Sequence, residues 1–451
     1  MPLMSAIAPD AEATDGHGSL LVLGLLALIV GAGAGLLGAA FRMALTQADH
    51  VRNAFIAWAH GAHAAGFLLV TGAIAAATAL AAGLVNRISR AAAGSGIPHV
   101  EAVLRGEVSQ VPIRLIPVKF FGGWLAIGAG LALGREGPTV QMGASLGSFI
   151  GQVFRRNWPD CRVLLAAGAG AGLATAFNAP IAGAIFVLEE LVGRFEHRIA
   201  IAALGASAAA IAVARVLLVN TPDFHVNALA YATGQTRPLY FLLGAVLGLV
   251  AILYNRALLA TISAADRLKR WPVAVRAAAI GAAVGILAWF APDLVGGGDA
   301  ITQRTLTGSD ALGLVAVVFV VRFVLSTVSY AARTPGGLFA PLLVLGAQLG
   351  LLYGALCQFV LPQLHIEPEG FAVVGMAALF TGVVRAPLTG IVLVVEMTAS
   401  VTMLLPMLGA CFAAMLVPFM LGNAPIYESL RANLLRSNGA KPTADRFRAD
   451  T

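Results

Sequence analysis

Long apolar runs broken by short polar punctuation set the pattern of this chain. Residues 16–40, 163–188, 335–364 and 397–427 contain no Asp, Glu, Lys or Arg. One helix needs roughly 20 apolar residues to cross a bilayer, and several of these runs exceed that length. Gly and Pro cut many of them into pieces too short to span, such as 139–154, 181–190 and 388–395. Broken helices persist at membrane depth only where the freed backbone faces protein or a wet cavity. The pattern therefore predicts an all-α polytopic membrane protein with many tilted and half-spanning helices. Loops are expected near 88–117, 155–162, 219–237, 292–310 and 361–369, where Pro, Asn and charge collect.

The pattern also repeats. Gly168, Asn178-Ala179-Pro180-Ile181-Ala182-Gly183 and Val187-Leu188-Glu189 recur as Gly375, Arg385-Ala386-Pro387-Leu388-Thr389-Gly390 and Val394-Val395-Glu396, at an offset of 207 (375−168). Upstream, Gly134 and Pro138 pair with Gly337 and Pro341 at an offset of 203 (337−134). Two homologous halves, about 66–194 and 239–421, are expected to meet near residues 194–239. Transporters built from such repeats place the substrate between the halves, near the midplane. The large offset argues against a short-period solenoid.

Composition sharpens the class. The 451 residues are 59% hydrophobic and 11% charged, where a soluble domain carries about 25% charged residues. The net charge of +7 gathers partly at the C-terminal end (Arg431, Arg436, Lys441, Arg446, Arg448). Those positions fit a cytoplasmic end facing anionic lipid, and not a nucleic-acid patch. Cys161, Cys357 and Cys411 are far apart and suggest neither disulfides nor a metal site. Residues 1–18 carry Asp10, Glu12 and Asp15 without a basic n-region, so the apolar run from Leu20 is expected to act as the targeting element, with no cleaved signal peptide. The expected organisation is a polar segment 1–18, a membrane domain 19–430 and a short basic tail 431–451.

Chemistry concentrates where helices break. Gly134-Arg135-Glu136-Gly137-Pro138 puts a carboxylate between two uncharged stretches, 120–133 and 139–154. A carboxylate at membrane depth is costly unless it is paired or lines a pathway. Gly94-Ser95-Gly96-Ile97-Pro98, Gly337-Leu338-Phe339-Ala340-Pro341 and Asn423-Ala424-Pro425-Ile426-Tyr427 are the companion segments. Helix N-termini carry about half a positive charge and unpaired N–H donors. Several of them converging with Ser and Tyr hydroxyls would hold a small anion without a full positive charge, weakly enough to release it.

These four segments resemble the CLC family of chloride channels and proton/chloride antiporters. The similarity continues through Pro117-Val118-Lys119-Phe120-Phe121-Gly122-Gly123, Ala176-Phe177-Asn178-Ala179-Pro180 and Arg385-Ala386-Pro387-Leu388-Thr389-Gly390, covers roughly residues 20–435, and is most like the bacterial exchangers. The resemblance implies two inverted-topology repeats in a multi-pass protein of the bacterial inner membrane. It implies a homodimer with one pathway per subunit, carrying chloride and protons and using no cofactor. Ser95 and Tyr427 would supply hydroxyls to a central chloride, and Leu338 and Phe339 backbone amides, although Leu338 replaces a common Ile. Glu136 would be the outer gate, occupying an anion site until protonated. Glu190 would be the internal proton site. Glu189 has a repeat counterpart in Glu396 and reads as architectural, whereas Glu190 aligns with Met397, so Glu190→Gln is expected to matter more for proton movement than Glu189→Gln. The residues after Tyr427 are too few for the paired regulatory (CBS) domains of many family members.

Plainer roles stand beside these. Glu136 could pair with Arg135, Ser95 could be only a helix N-cap, Tyr427 an interfacial aromatic, and Glu190 an i,i+4 partner of Arg194. Arg135 and Lys119 read as structural or field-setting, and Phe339 as a packing ring whose amide matters. Gly33-Ala34-Gly35-Leu36-Leu37-Gly38 matches a dinucleotide-binding pattern but lies in a membrane run, so close helix packing is the better account. His60 and His63 lack further ligands for a metal. Proton-coupled chloride exchange is the first expectation, a passive chloride channel the alternative, and an intramembrane enzyme using Glu136 the third, for which no nucleophile or metal partner is evident.

Overall fold

The computed structural model describes residues 15–109, 112–218, 222–268 and 270–437. Asp10 and Glu12 of the N-terminal segment and Lys441, Arg446 and Arg448 of the basic tail lie outside the described residues. Within them the chain is helical, with no strand. The first half comprises α1 (Asp15–His60), α2 (His63–Ile88), α3 (Ile97–Leu104), α4 (Leu115–Gly128), α5 (Glu136–Val153), α6 (Trp158–Phe177), α7 (Pro180–Phe186) and α8 (His197–Leu217). The second runs α9 (Arg237–Arg267), α10 (Val273–Phe290), α11 (Asp299–Leu306), α12 (Leu312–Tyr330), α13 (Phe339–Val360), α14 (Pro368–Val384), α15 (Pro387–Thr398) and α16 (Leu404–Met420), with α17 (Ile426–Ser437) closing the chain. Eight helices (α1, α2, α6, α8, α9, α10, α12 and α13) are long and apolar enough to cross a membrane. Leu21, Leu25, Ile201, Val317, Phe412 and Phe419 are among the large apolar residues they and α16 turn outward.

The halves correspond element by element. α1 packs on α6 and α8 as α9 packs on α14 and α16, and α5 packs on α6 as α13 packs on α14. The correspondence in packing extends over α1 to α8 and α9 to α16. α1 continues to His60 through charged positions because these find partners. Arg42 pairs with Asp223 at 2.9 Å, and Arg52 pairs with Asp49 at 2.6 Å and donates to the Gly128 carbonyl.

Two short helices occupy stretches expected to be loops. α3 and α11 have eight residues each, too few to show a period in sequence. Each opens on a left-handed glycine, Gly96 (φ 84°) or Gly298 (φ 99°), two residues after another, Gly94 (φ 62°) or Gly296 (φ 83°). Left-handed backbone favours glycine because no Cβ meets the adjacent carbonyl.

α6 and α14 form the centre and are buried on nearly every face, as a helix apolar all round must be. Gly143 and Gly147 bring α5 onto α6, and Gly346 and Gly350 bring α13 onto α14. A Cβ at Gly143 would lie 2.1 Å from the Gly168 carbonyl oxygen, and one at Gly346 2.4 Å from that of Gly375. Small residues allow such approach in membrane helices. The same physics governs the apparent nucleotide motif of α1: its Gly35 lies against the backbone of Ala210, as Gly31 just before it lies against that of Ala206. α6 ends at Asn178 and α14 at Arg385, both left-handed, and Ala-Pro then starts α7 and α15. The proline ring suits the first helical position because that residue needs no N–H bond.

Candidate ion pathway

The breaks in α3, α5, α13 and α17 meet inside the protein. Gly134 and Gly337, counterparts in the two halves, exchange both backbone bonds: Gly134 N–H donates to the Gly337 carbonyl (2.9 Å) and Gly337 N–H to that of Gly134 (2.7 Å). This reciprocal pair is what a two-fold axis passing between the halves produces. The Glu136 side chain lies against it. Its Oε1 accepts the Phe339 N–H at 2.7 Å, so the carboxylate sits at the N-terminus of α13, where unpaired amides favour an anion. A Cβ at Gly134 would lie 1.9 Å, and one at Gly337 2.0 Å, from a carboxylate oxygen. In this position the carboxylate leaves no room for a Cβ at either glycine.

The Glu136–Arg135 pair is not formed. Arg135 turns away, to Asp299 (2.8 Å), Asp223 (3.3 Å) and the Ala176 carbonyl (2.8 Å). Asp223 and Asp299 carried no motif in sequence and were not anticipated there.

Ser95 is fully buried and precedes α3, whose N-cap is Gly96; no side chain caps that helix. Tyr427, in the first turn of α17, is also fully buried, which removes the interfacial role. The Ser95 hydroxyl lies close to the Tyr427 hydroxyl, and Glu136 lies within electrostatic range of it. Ser95 Oγ, Tyr427 OH and Glu136 Oε2 nevertheless have no hydrogen-bond partner among the described residues. Buried polar groups are usually paired, so these three atoms are candidate contacts for an ion. Leu338, the N-cap of α13, and Phe339 are both buried. The Phe339 ring packs among Phe177, Phe186, Phe380 and Tyr427, which leaves its amide as the polar contact.

Charged side chains support these segments. Lys119 on α4 is fully buried and donates to the Gly94 (2.7 Å) and Ser95 (3.1 Å) carbonyls. Its counterpart on α12, Arg322, donates to the Gly296 (2.7 Å) and Gly297 (3.0 Å) carbonyls. Arg322 was missed in sequence, although its offset of 203 from Lys119 (322−119) was a usable signal.

Glu189 and Glu190 take different environments. The helix of α7 widens into a π turn, Val187–Val192, that carries both; such turns often mark functional sites. Glu189 reaches into the other half and accepts the Leu388 and Thr389 N–H groups (3.0 and 2.7 Å) at the start of α15. Glu396 returns the arrangement, accepting the Ile181 and Ala182 N–H groups (3.1 and 2.8 Å) of α7. Glu190 does not pair with Arg194, which pairs with Glu196 at 2.5 Å. Its charged surroundings are Glu101, Glu189, Arg105 and Glu428. Arg431 does not simply face lipid: it pairs with Glu101 (3.4 Å) and Glu107 (3.5 Å).

Comparison with known proteins bears on the chain as a whole. The family model for voltage-gated chloride channels matches residues 77–418. The H(+)/Cl(-) exchange transporters ClcA of Salmonella arizonae and Salmonella newport are each 37% identical over 443 residues, covering 94% of this chain and 91% of theirs. A slow cyanobacterial Cl-/H+ antiporter superimposes with a TM-score of 0.88 at 32% identity, over 92% of this chain and 98% of its own. A CLC-type fluoride/proton antiporter shares the fold at a TM-score of 0.77 and 22% identity, over 91% and 98%. A fold, a family model and relatives that agree over nearly the whole length place this chain in the family of voltage-gated chloride channels, the CLC family, to which it belongs.

Proposed function

We propose that this protein is a secondary active antiporter that exchanges chloride for protons, with Glu136 as the gate that couples them. The observation that carries the reading is the Glu136 carboxylate held by the Phe339 amide. A carboxylate and a chloride ion compete for the same N–H donors, so the site holds one or the other. Protonation removes the carboxylate's charge, weakens its hold on the amide and lets it yield to chloride; deprotonation returns it. One residue then ties the position of the proton to the occupancy of the anion site. Ser95 and Tyr427 hydroxyls and the Leu338 and Phe339 amides would coordinate the anion, and Glu190 would pass protons between Glu136 and the cytoplasm. The relatives' transport of chloride against protons supports the same reading. The working unit would be a homodimer with a pathway in each subunit, in the inner membrane of a bacterium.

The test is ion flux in liposomes. Chloride efflux from vesicles holding the unmutated protein is expected to drive protons inward, and chloride movement without protons would instead make this a channel. Glu136→Ala is expected to retain chloride flux and lose proton transport. Glu190→Gln should lose proton transport, and normal proton movement in that variant would remove Glu190 from the path.

A further inference from the structure

We propose that Tyr330 sets the anion affinity of the site at Ser95 and Tyr427: its hydroxyl accepts the Ser95 backbone N–H, so Ser95 offers an anion its hydroxyl and not its amide. The proposal rests on the reading of Ser95 and Tyr427 as that site. Tyr330 is the last residue of α12 and is buried. The Ser95 N–H donates to its hydroxyl at 3.2 Å.

The backbone next to this bond is engaged as well. The Ser95 carbonyl accepts from Lys119, and the Gly94 carbonyl accepts from Lys119 and from the Gly336 N–H (3.1 Å). The Gly94 N–H donates to the Thr334 carbonyl (3.1 Å). Tyr330, Thr334 and Gly336 all belong to the opposite half. They leave Ser95 Oγ as the polar atom of this residue without a partner. The fit is close: a Cβ at Gly94 would lie 2.9 Å from the Tyr330 hydroxyl oxygen, and Gly94 is left-handed as well.

An N–H at a helix entrance is a strong anion donor. Masking it lowers affinity, and transport requires an anion that leaves. Tyr330 is therefore a positioning residue, acting on the anion through Ser95.

Tyr330→Phe removes one oxygen and keeps the ring. Chloride binding to the purified protein, measured calorimetrically, is expected to become about tenfold tighter as the freed amide turns to the anion. Turnover in liposomes is expected to fall. Tyr330→Leu also lacks the acceptor and carries the same expectation, should the Phe variant not purify. Because the freed donor is backbone, the tightening should persist when Tyr330→Phe is added to Ser95→Ala. Unchanged or weaker binding in Tyr330→Phe, or tightening that disappears in the Ser95→Ala background, overturns the proposal. If Ser95→Ala and Tyr427→Phe leave chloride binding untouched, the reading of the site itself fails. If those two weaken binding while Tyr330→Phe changes nothing, only the role of Tyr330 fails.

Discussion

Glu136 depends on what its neighbours lack. Its carboxylate fits between Gly134 and Gly337 because neither carries a Cβ, and an added methyl would stand about 2 Å from an oxygen, well inside any non-bonded contact. Gly337→Ala is therefore expected to expel the carboxylate while sparing the acid itself. Chloride flux in liposomes should persist and proton coupling should fall, as in Glu136→Ala. Gly134→Ala, in the other half of the chain, should give the same phenotype because it walls the same space. Full coupling in Gly337→Ala would show that the carboxylate works from another position. Glu136 was legible from sequence because a charge in an apolar run is conspicuous. The space it occupies was not, since it arises from two absent side chains far apart in the chain.

Helix ends, more than helix bodies, hold the elements together. α7 and α15 both begin with proline, so the next two N–H groups are the first donors each must satisfy. A glutamate of the opposite half takes both: Glu396 for α7 and Glu189 for α15. An unpaired N–H is costly in a membrane. Glu396→Ala is expected to lower stability by about 1–3 kcal/mol, read as a drop in thermal midpoint in detergent. Glu189→Ala should do the same, and the double variant should fall short of the sum because both clamps close one interface. Additive losses would mean that the clamps act independently. The repeat suggested that Glu189 is architectural, and its bonds supply a reason. Reading α3 and α11 as loop had an equally physical cause: eight residues opened by left-handed glycines carry no visible period.

Across the whole molecule the two halves complete each other. The Glu136 carboxylate is held by an amide of the second half, and the Ser95 loop by three residues of it. The connecting segment after α8 is pinned as well: Phe224 N–H donates to the Met397 carbonyl, His225 exchanges two bonds with Gln303, and Ala230 N–H donates to Glu367. Gly234 has open space around it. A chain cut after Gly234, with both pieces expressed together, is expected to co-purify through a tag on one piece. Either piece alone should not yield a stable protein, and recovery of a monodisperse single half would contradict this dependence.

Class and repeat were determined by the sequence alone, because membrane-length apolar runs and an offset shared by separate motifs are periodic signals, and a charge in hydrocarbon nominated Glu136. Ser95, Leu338, Phe339 and Tyr427 could be nominated from their motifs in the same way. Only the tertiary structure decided what Arg135 pairs with, what masks the Ser95 amide, and which carboxylate caps which helix. Those bonds join residues of opposite halves or of distant helices. Their partners Asp223, Asp299, Tyr330 and Glu396 are ordinary residue types in sequence, and they acquire a role only when folding brings a buried donor or acceptor within 3 Å or so, where an unpaired polar group is too costly to leave.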